Sequence, residues 1–478
     1  MLDYNPLLNT DSYKASHPFQ YPKNTEYVSS YIESRGCDIE GWTHTTYLGL
    51  QAFMQKYLTI PITMEMVEEA DKVLTAHGEP FYREGWEHIV CKHNGKLPLR
   101  IQAIKEGTIL PQGHVMVQVI NTDPECFWLT SFAETKLLRA IWYPTTIATQ
   151  DMYIKESILR YLRLTSTSDT IDADVLFKLH GFGSRGTSSH ESAAAGGAAH
   201  LCHFMGTDDL AGIIHLAKHY SEEMAGFSIP AAEHSTMMLK GEAGEIEQIE
   251  RMIDTFGKPG ALFAVVIDAY HHKKFLDKIY KLKDKLIASG ATMVVRPDSG
   301  TPWKVAPDVI LHLIDLFGAK VNDKGFMVLP DYLRVIYGDG INHVSIELIL
   351  RALYQEGLSA DNIAFGMGGA MLQSVTRDTL KFAMKASASR IDGEWIETSK
   401  NPFGDSTKRS KEGILALYKD AEGYHTVKER DLPAGAENLL EDYYLNGDIL
   451  ITTTWAEVRE RAAAGLAELE AATLSKAA

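Results

Sequence analysis

The sequence predicts an α/β protein with an irregular central (β/α) barrel and a second, α+β domain. From about residue 170 onward, short apolar or β-branched runs alternate with helical patterns. The runs end near positions 180, 208, 234, 268, 296, 339 and 366. Their spacing of roughly 25 to 45 residues suits one strand and one helix per unit of a parallel sheet, and seven units approach the eight of a closed barrel. Polar or glycine-rich residues follow every run, so we expect them at the carboxyl ends of the strands, where such folds place their sites.

The two ends of the chain lack this alternation. Residues 1–150 mix a helical stretch, "TMEMVEEADKVLTAHG", with the strand-like pieces "LPLRIQAIKEGTIL" and "GHVMVQVINTD". The chain after about residue 385 is irregular and closes with an Ala/Glu-rich stretch that is typical of a surface helix. We therefore predict the barrel at 151–385, with 1–150 and 386–478 packing together as the second domain.

The composition excludes several classes of protein. The 478 residues include 47 Lys and Arg against 63 Asp and Glu, a net charge of −16, so no basic surface for nucleic acid or an anionic membrane is expected. The first residues lack the basic and apolar regions of a signal peptide, and no apolar run approaches the roughly 20 residues that cross a bilayer. Four cysteines without C-x-x-C spacing predict neither a disulfide framework nor a metal site. We expect a soluble, cytoplasmic protein.

Three segments suit the binding of anions. "HGFGSRGTSSHESAAAGGAAH" (180–200) is rich in small residues around Arg185, and it is consistent either with a phosphate at a helix N-terminus or with tight helix packing. "VVRPDSG" ends a β-branched run with Arg296 and Asp298, where an arginine can hold an anion and an aspartate can bind ribose hydroxyls or Mg²⁺. "FGMGGA" (365–370) offers bare backbone after an apolar run, which suits a phosphate but is weak as a motif.

A basic group follows the last of these segments. Its members are Arg377, Lys381, Lys385, Lys400, Lys408, Arg409 and Lys411. The first three are spaced by four residues, so they share one face if the segment is helical. In a chain of net charge −16, such local basicity is what a polyphosphate substrate requires.

Ten motifs together carry a family resemblance. They are "NTDSYK", "YIESRG", "LHGFGSRG", "GTDDLAG", "IPAAEHST", "RPDSG", "LRVIYGDG", "NIAFGMGG", "TRD" and "KRSKEG", which span residues 9 to 413. In this order they resemble the nicotinamide phosphoribosyltransferase family of type II phosphoribosyltransferases. The resemblance implies an irregular α/β barrel, a second domain built from both chain ends, and a homodimer with sites shared across its interface. It also implies a pentosyltransferase of NAD salvage, in which nicotinamide and 5-phosphoribosyl 1-diphosphate give nicotinamide mononucleotide and diphosphate.

The same resemblance implies roles for individual residues. Phe182 and the partner subunit's Tyr13 would sandwich the pyridine ring, and Asp208 would accept a hydrogen bond from the carboxamide. The groups implied for the ribose and its 5-phosphate are Arg185, Asp298, Gly338, Asp339, Gly368 and Gly369. Arg296 would reach both the base and the diphosphate. The cations implied for the diphosphate are Arg35, Arg377, Lys385, Lys400 and Lys408, and Asp11 is a further substrate-binding residue.

His234 receives its role from the resemblance alone. Read by itself, a lone histidine at the end of an apolar run is more often a core or strand-end residue. The resemblance implies that ATP phosphorylates it and that the phosphohistidine promotes turnover. Glu233 and Asp268 would orient the imidazole, and Asp298 is a further catalytic residue. Mg²⁺ is expected to bind with the diphosphate, near Asp298 and Asp339.

Two departures and two alternatives accompany this interpretation. Ser184 stands where the family often has tyrosine, at the rim of the base pocket, and "YHH" (270–272) places His271 where aspartate is more usual. A nicotinate phosphoribosyltransferase is the alternative enzyme, against which the negative charge of Asp208 argues because it would repel a carboxylate substrate. A non-catalytic binding protein on the same scaffold is the other alternative, and the complete set of Arg, Asp and Gly at the strand ends argues against it.

Overall fold

The structure is a computed structural model that describes residues 2–400 and 410–477, apart from the side chains of 473–477. The strands are β1 Thr25–Ser34, β2 His44–Thr46, β3 Leu99–Ala103, β4 Ile109–Pro111, β5 Val117–Asn121, β6 Leu179–Gly181, β7 Gly206–Thr207, β8 Leu262–Val266, β9 Thr292–Arg296, β10 Lys320–Val321, β11 Met327–Val328, β12 Leu333–Tyr337, β13 Ile363–Met367, β14 Phe382–Ile391, β15 Glu394–Glu397, β16 Leu415–Asp420, β17 Gly423–Lys428, β18 Glu441–Leu445 and β19 Asp448–Ile449.

The α-helices are α1 Leu50–Phe53, α2 Met64–His77, α3 Arg83–His93, α4 Leu129–Thr165, α5 Ile171–Asp174, α6 His190–His200, α7 Leu210–Tyr220, α8 His234–Met237, α9 Glu245–Phe256, α10 His272–Lys281, α11 Lys283–Ser289, α12 Pro302–Phe317, α13 His343–Gln355, α14 Gly369–Leu372 and α15 Trp455–Ala477. Two short 3₁₀ turns, Pro124–Cys126 and Ser184–Gly186, enter the description of the sites below. None of the helices in the described ranges is long and apolar enough to cross a bilayer.

The chain divides into two compact units. Unit 1 comprises residues 1–149, 216–222 and 376–478, and unit 2 comprises 150–215 and 223–375. The second unit therefore ends near residue 375, whereas the sequence placed its end at 385. The reason is strand β14, which begins at Phe382 and pairs along β1 from unit 1.

Unit 2 is built on a six-stranded parallel sheet with the order β7-β6-β13-β12-β9-β8. The residues of β8 and β9 are mostly buried and aliphatic, as expected for parallel strands that are covered on both faces. The segment 227–231 joins the two edges, because Phe227 bridges Gly206 of β7 and Ala231 bridges Ala264 of β8. The ring of strands thereby closes into the irregular barrel that the rhythm of the sequence predicts.

Two of the seven predicted runs do not form full strands. The run before position 208 contributes the two residues of β7, because helix α6 continues to His200 and a turn follows. The run that ends at His234 forms single bridges to each edge and no regular strand. Pro230 within that run accepts from Ala264 N–H but has no N–H of its own to donate. The barrel is irregular at these two places.

Unit 1 contains a seven-stranded sheet with the order β15-β14-β1-β5-β3-β18-β19, and its neighbouring strands are antiparallel. The predicted helix at 63–78 is α2, in which the Thr63 hydroxyl accepts from Met66 N–H and Gly78 ends the helix with φ +97°. The predicted strand-like pieces are β3, β4 and β5, and the Ala/Glu-rich end is α15.

The basic segment after residue 376 is not helical. Arg377 and Lys381 lie in a turn, and Lys385 lies in β14 opposite Tyr31 of β1. The condition under which all three cations would share a helix face is therefore not met. The conformation of this segment is determined by the long-range pairing of β14 with β1, and the local four-residue spacing does not decide it.

Candidate active site

Three side chains that follow different parts of the barrel meet at the carboxyl ends of its strands. His234 begins α8, Asp268 follows β8 and Asp298 follows β9. The His234 Nε2 lies 3.1 Å from Asp268 Oδ1, and its Nδ1 lies 3.9 Å from Asp298 Oδ2. The backbone N–H of Asp298 donates to Asp268 Oδ2 at 2.9 Å, and the Ser299 hydroxyl donates to the same oxygen. Asp268 thus connects the three residues, since both of its carboxylate oxygens accept hydrogen bonds.

The carboxylates of this group have opposite pKa shifts. Burial by itself would raise the pKa of Asp268, but hydrogen bonds from Ser299, the Asp298 N–H and His234 outweigh it and hold the pKa below the ordinary value. Burial raises the pKa of Asp298, and the nearby charges of Asp268 and Asp339 add to this effect against Arg296 and His234. Asp268 is therefore a fixed anion, and Asp298 is a carboxylate repelled by its neighbours that gains from a cation beside it.

The next strand ends place an aromatic ring beside this group. A Cβ added to Gly366 of β13 would lie 1.7 Å from Phe182 Cζ, and one added to Gly338 would lie 3.3 Å from the same atom and 3.1 Å from Asp298 Oδ1. The Phe182 ring therefore lies directly over the backbone of two strand ends, in space that exists because both residues are glycines. One face of an aromatic ligand could stack on such a ring.

Asp208, which follows β7, lies close to this ring. Its backbone N–H donates to Gly181 O at 2.8 Å, next to Phe182 in the chain. Its Oδ1 accepts from His180 Nε2 at 3.0 Å and from the Ser228 hydroxyl. Burial opposes ionisation, but these hydrogen bonds and the charge of Arg296 hold the pKa of Asp208 below its ordinary value. Within residues 2–400 and 410–477 we find no donor to Oδ2, so this oxygen can accept from a ligand.

Arg296 and the glycine-rich turn complete the strand ends. The Arg296 Nε is buried and has no hydrogen-bond partner in the described part of the chain, which leaves a donor for a bound anion. Arg185 is exposed on the turn Ser184–Gly186. This turn packs against the loop after β13, since a Cβ on Gly186 would lie 3.1 Å from Gly369 Cα and one on Gly183 would lie 2.7 Å from Gly368 O. Arg185, Gly368 and Gly369 are thus brought together, as the assignment to one phosphate requires.

Unit 1 gathers predicted cations of its own. Lys385 is half-buried, and burial lowers the pKa of its ammonium, with further lowering by the charges of Arg35, Lys400 and Arg377 against the opposing Glu134. Four of the five predicted diphosphate-binding cations therefore interact electrostatically. Lys408 lies outside the described residues. Such a repulsive cluster is a site that favours an anion.

The two N-terminal predictions lie in the same unit. The Asp11 carboxylate accepts from the Thr135 hydroxyl at 2.6 Å. Tyr13 is 52% exposed, with Lys14 Nζ 5.3 Å from its ring centre. Asp11 is therefore already engaged locally, and the exposed ring of Tyr13 is accessible to a second molecule.

The hydrogen bonds revise one predicted role. The Glu233 carboxylate accepts from the Ser235 hydroxyl, and its backbone N–H donates to Thr236 Oγ1 at 3.3 Å. Glu233 therefore caps the N-terminus of α8. The neighbours of the His234 ring are Asp268 and Asp298 instead of Glu233. The departures at Ser184 and His271 are both exposed, and the hydrogen bonds of Asp268 are intact beside them.

Sequence reasoning missed three supporting residues. His180 and Ser228 hold Asp208, and the Tyr337 hydroxyl donates to Ser299 O at 2.8 Å, beside carboxylates that add to its burial in raising its pKa to about 12. His180 and Tyr337 lie at or next to the end of a strand, and Ser228 follows the single bridge at Phe227, so this position in the barrel was the available signal. Their partners, however, are 20 to 38 residues away in the chain, so no local pattern could identify the pairs.

Comparison with known families gives two matches. Residues 177–441 match the Nicotinate phosphoribosyltransferase (NAPRTase) family, and residues 5–101 match the Nicotinamide phosphoribosyltransferase, N-terminal domain. The first match contains all of the strand ends described above for unit 2. The second contains Asp11, Tyr13 and Arg35.

Individual proteins are similar over nearly the full chain. A nicotinamide phosphoribosyltransferase of Xanthomonas campestris pv. campestris (strain 8004) is 44% identical over 465 residues, which cover 96% of this chain and 98% of that protein. One of Acinetobacter baylyi (strain ATCC 33305 / BD413 / ADP1) is 32% identical over 494 residues, covering 96% and 97%. Among solved structures, the nicotinate-nucleotide pyrophosphorylase from Pyrococcus furiosus matches with a TM-score of 0.61 at 16% identity, covering 97% of this chain and 96% of that one. The human nicotinic acid phosphoribosyltransferase matches with a TM-score of 0.54 at 16% identity, covering 96% and 93%. These two structures share the fold.

Proposed function

The chain belongs to the nicotinate phosphoribosyltransferase family, and on that premise we propose that it transfers the phosphoribosyl group of 5-phosphoribosyl 1-diphosphate to nicotinamide. The products are nicotinamide mononucleotide and diphosphate, and the reaction is a step of NAD salvage. The similarity to nicotinamide phosphoribosyltransferases over 96% of the chain supports this substrate pair. The cytoplasm stays the expected location.

The observation that carries the choice of nicotinamide is the ionised Asp208 beside the Phe182 ring. A pyridine stacked on Phe182 would direct its 3-substituent toward a carboxylate that His180 and Ser228 keep charged. A carboxamide can donate an N–H to Asp208 Oδ2. A nicotinate carboxylate would bring a second negative charge to the same place, which is unfavourable in a partly buried site.

The transfer itself needs charge stabilisation more than proton transfer. The pyridine nitrogen has a free lone pair and forms the bond to C1 as the bond from C1 to the diphosphate oxygen breaks. Positive charge develops on the ribose, and negative charge leaves with the diphosphate. Asp298 and Asp339 are suited to the ribose, and the cations around Lys385 are suited to the diphosphate.

Mg²⁺ fits the carboxylates at these strand ends. Asp298 and Asp339 provide hard oxygen ligands, and the pKa of Asp298 is raised by burial and by the neighbouring carboxylates, so a cation would relieve this repulsion. Mg²⁺ is commonly held by one or two carboxylates together with substrate phosphates. Bound there, it would neutralise charge on the diphosphate.

His234 is suited to accept a phosphoryl group from ATP. The carboxylate of Asp268, kept ionised, can only accept a hydrogen bond, so the proton of the neutral imidazole lies on Nε2. The lone pair of Nδ1 is then free to attack the γ-phosphorus, forming the N–P bond while the bond to the ADP oxygen breaks. His234→Ala should abolish ATP hydrolysis and the ATP stimulation of turnover. Unchanged stimulation in this variant would refute the assignment.

A homodimer with shared sites is the final part of the proposal. The exposed Tyr13 ring is accessible to a second copy, in which it would cover the free face of the pyridine stacked on Phe182. Light scattering should give a dimer. At a nicotinamide concentration too low to support turnover by either variant alone, mixing Tyr13→Ala and Phe182→Ala chains should restore about a quarter of the wild-type activity if one site of each mixed dimer is intact. No restoration after verified chain exchange would contradict sharing.

The pyridine preference tests the function directly. The purified protein should form the mononucleotide from nicotinamide and not from nicotinate, with and without ATP. In Asp208→Ser the ratio of the two kcat/KM values should shift toward nicotinate by at least tenfold. Asp208→Asn keeps the shape and removes the charge, so it separates electrostatic from steric effects. An unchanged ratio in both variants would exclude Asp208 as the group that discriminates between the pyridines. If the wild-type protein is inactive with both pyridines, the alternative of a non-catalytic binding protein is favoured.

A further inference from the structure

Unit 1 contains a cluster of four potential metal ligands that none of the roles above uses. They are His88, His93, Asp123 and Cys126, and one donor atom from each lies within 4.8 Å of the other three. The two histidine Nε2 atoms lie 2.9 Å and 2.6 Å from Asp123 Oδ2. Cys126 is fully buried beneath them. We call this group the His–Asp–Cys cluster.

The backbone on both sides of the cluster is firmly held. His88 and His93 lie on α3, which ends immediately after His93 at Asn94, with φ +52°. Asp123 caps the 3₁₀ turn Pro124–Cys126, since its Oδ1 accepts from Glu125 N–H at 2.9 Å. The side-chain amide of Asn121 donates to Asp123 O at 2.8 Å. The four ligands are thus presented by two short rigid segments, which reduces the conformational cost of closing on an ion.

The donor set selects a class of metal. Two imidazole nitrogens, one carboxylate oxygen and one thiolate sulfur suit Zn²⁺ and related first-row ions, whereas Mg²⁺ and Ca²⁺ favour oxygen ligands. Tetrahedral Zn²⁺ with ligand distances of about 2.0–2.3 Å places neighbouring donors roughly 3.3–3.8 Å apart. The four donors here lie within 4.8 Å of one another. Shifts of about 1 Å would therefore convert the cluster to this geometry.

We propose that the His–Asp–Cys cluster binds one Zn²⁺ ion, which clips helix α3 to the turn that precedes α4. The metal would replace the hydrogen bonds between the two imidazoles and Asp123 with coordinate bonds, and it would displace the proton of the Cys126 thiol. That thiol receives no hydrogen bond in the described part of the chain. The site is structural in character, because it supplies four protein ligands and leaves no open position for a substrate.

The competing explanation is a metal-free cluster in which Asp123 accepts from both histidines. Cobalt distinguishes the two, because a Co²⁺–thiolate bond produces an intense near-ultraviolet charge-transfer band and tetrahedral Co²⁺ absorbs strongly in the visible. The full-length protein, stripped with a chelator and dialysed, is titrated with Co²⁺ and then with Zn²⁺. We expect both bands to saturate at one equivalent and to disappear when Zn²⁺ is added.

Three variants test the assignment of the ligands, and one of them is a matched control. Cys126→Ala should lose the charge-transfer band. Cys91→Ser should keep it, since Cys91 lies on α3 with the two histidines but is exposed and outside the cluster. In the stripped protein, Zn²⁺ at a hundredfold excess over its dissociation constant should raise the Tm by roughly 3 °C. This rise should be lost in the His88→Ala/His93→Ala double variant. No saturable band in the wild type, or the same spectrum in Cys126→Ala, would overturn the proposal.

Discussion

Gly366→Ala is expected to disturb pyridine binding by displacing the Phe182 ring. The new Cβ would lie 1.7 Å from Phe182 Cζ, 2.0 Å from Cε1 and 3.0 Å from Cε2, whereas ordinary contact begins at 3.4 Å. The ring must therefore move by about 1.7 Å, since β13 is paired on both sides and its backbone cannot yield as easily. A stacked aromatic pair loses its favourable geometry after such a displacement.

The loss can be estimated from stacking energies. Stacking of a base on an aromatic side chain contributes about 1–3 kcal/mol, and a displaced ring retains part of this contact. A loss of about 1–2 kcal/mol corresponds to a KM for nicotinamide that is roughly 5–30-fold higher. The KM for 5-phosphoribosyl 1-diphosphate should change little. Steady-state kinetics with each substrate varied in turn provides the measurement, and circular dichroism checks the fold.

A double-mutant cycle tests the stated cause. If Gly366→Ala acts through the ring, it should add little in a Phe182→Ala background, because there is no ring left to displace. Phe182→Ala should then raise the KM for nicotinamide at least as much as Gly366→Ala does, and the double variant should resemble Phe182→Ala. Additive losses, or an unchanged KM for nicotinamide in Gly366→Ala, would refute the reasoning.

Three further predictions concern single charged groups. In Asp268→Asn the amide oxygen is needed by the Asp298 N–H and the Ser299 hydroxyl, so the amide NH₂ faces His234 Nε2 and donates where the carboxylate accepted. The imidazole proton then moves to Nδ1, and ATP stimulation of turnover should fall at least tenfold more than the ATP-free rate; equal losses would contradict this. Lys385→Met removes a cation from a repulsive cluster, so the KM for 5-phosphoribosyl 1-diphosphate should rise by about one order of magnitude or more, while that for nicotinamide stays constant. Lys136→Met removes an ammonium whose pKa burial lowers to about 8. Because this folded pKa lies below the unfolded value of about 10.4, the wild type should gain about 3 kcal/mol of stability relative to the variant as the pH rises through this window; a constant difference in chemical denaturation would contradict it.

The local pattern of the sequence was sufficient to predict the main elements and the location of the site. Alternating apolar runs and helical patterns are local consequences of burial, so α2 and the strands β8, β9, β12 and β13 lie where the pattern places them. Polar residues after such runs must lie at one edge of a parallel sheet. The types of residue at that edge therefore follow from the amino-acid sequence alone.

Pairing over long distances could not be predicted in the same way. The closure of the barrel depends on Phe227 and Ala231, which bridge strands that begin 21 residues before and 31 residues after them along the chain. Four-residue spacing would place Arg377, Lys381 and Lys385 on one face of a helix, but pairing of β14 with β1 makes the end of this segment a strand. The His–Asp–Cys cluster was missed for the same reason, since cysteine spacing cannot show that Cys126 lies beneath two histidines of another segment.

The electrostatic arrangement within each unit supports the proposed reaction. Unit 2 gathers Asp268, Asp298 and Asp339, and the pKa of Asp298 is raised by burial and by the other two charges. Unit 1 gathers cations, and burial and like charges lower the pKa of Lys385. Each cluster is unfavourable by itself, so neither stabilises the fold that holds it. In the proposed reaction, positive charge that develops on a ribose would relieve the repulsion among the carboxylates of unit 2. Separately, a diphosphate would relieve the repulsion among the cations of unit 1. Both interactions would strengthen as charge develops, so the proposed reaction meets the condition that binding be tighter in the transition state than in the bound substrate.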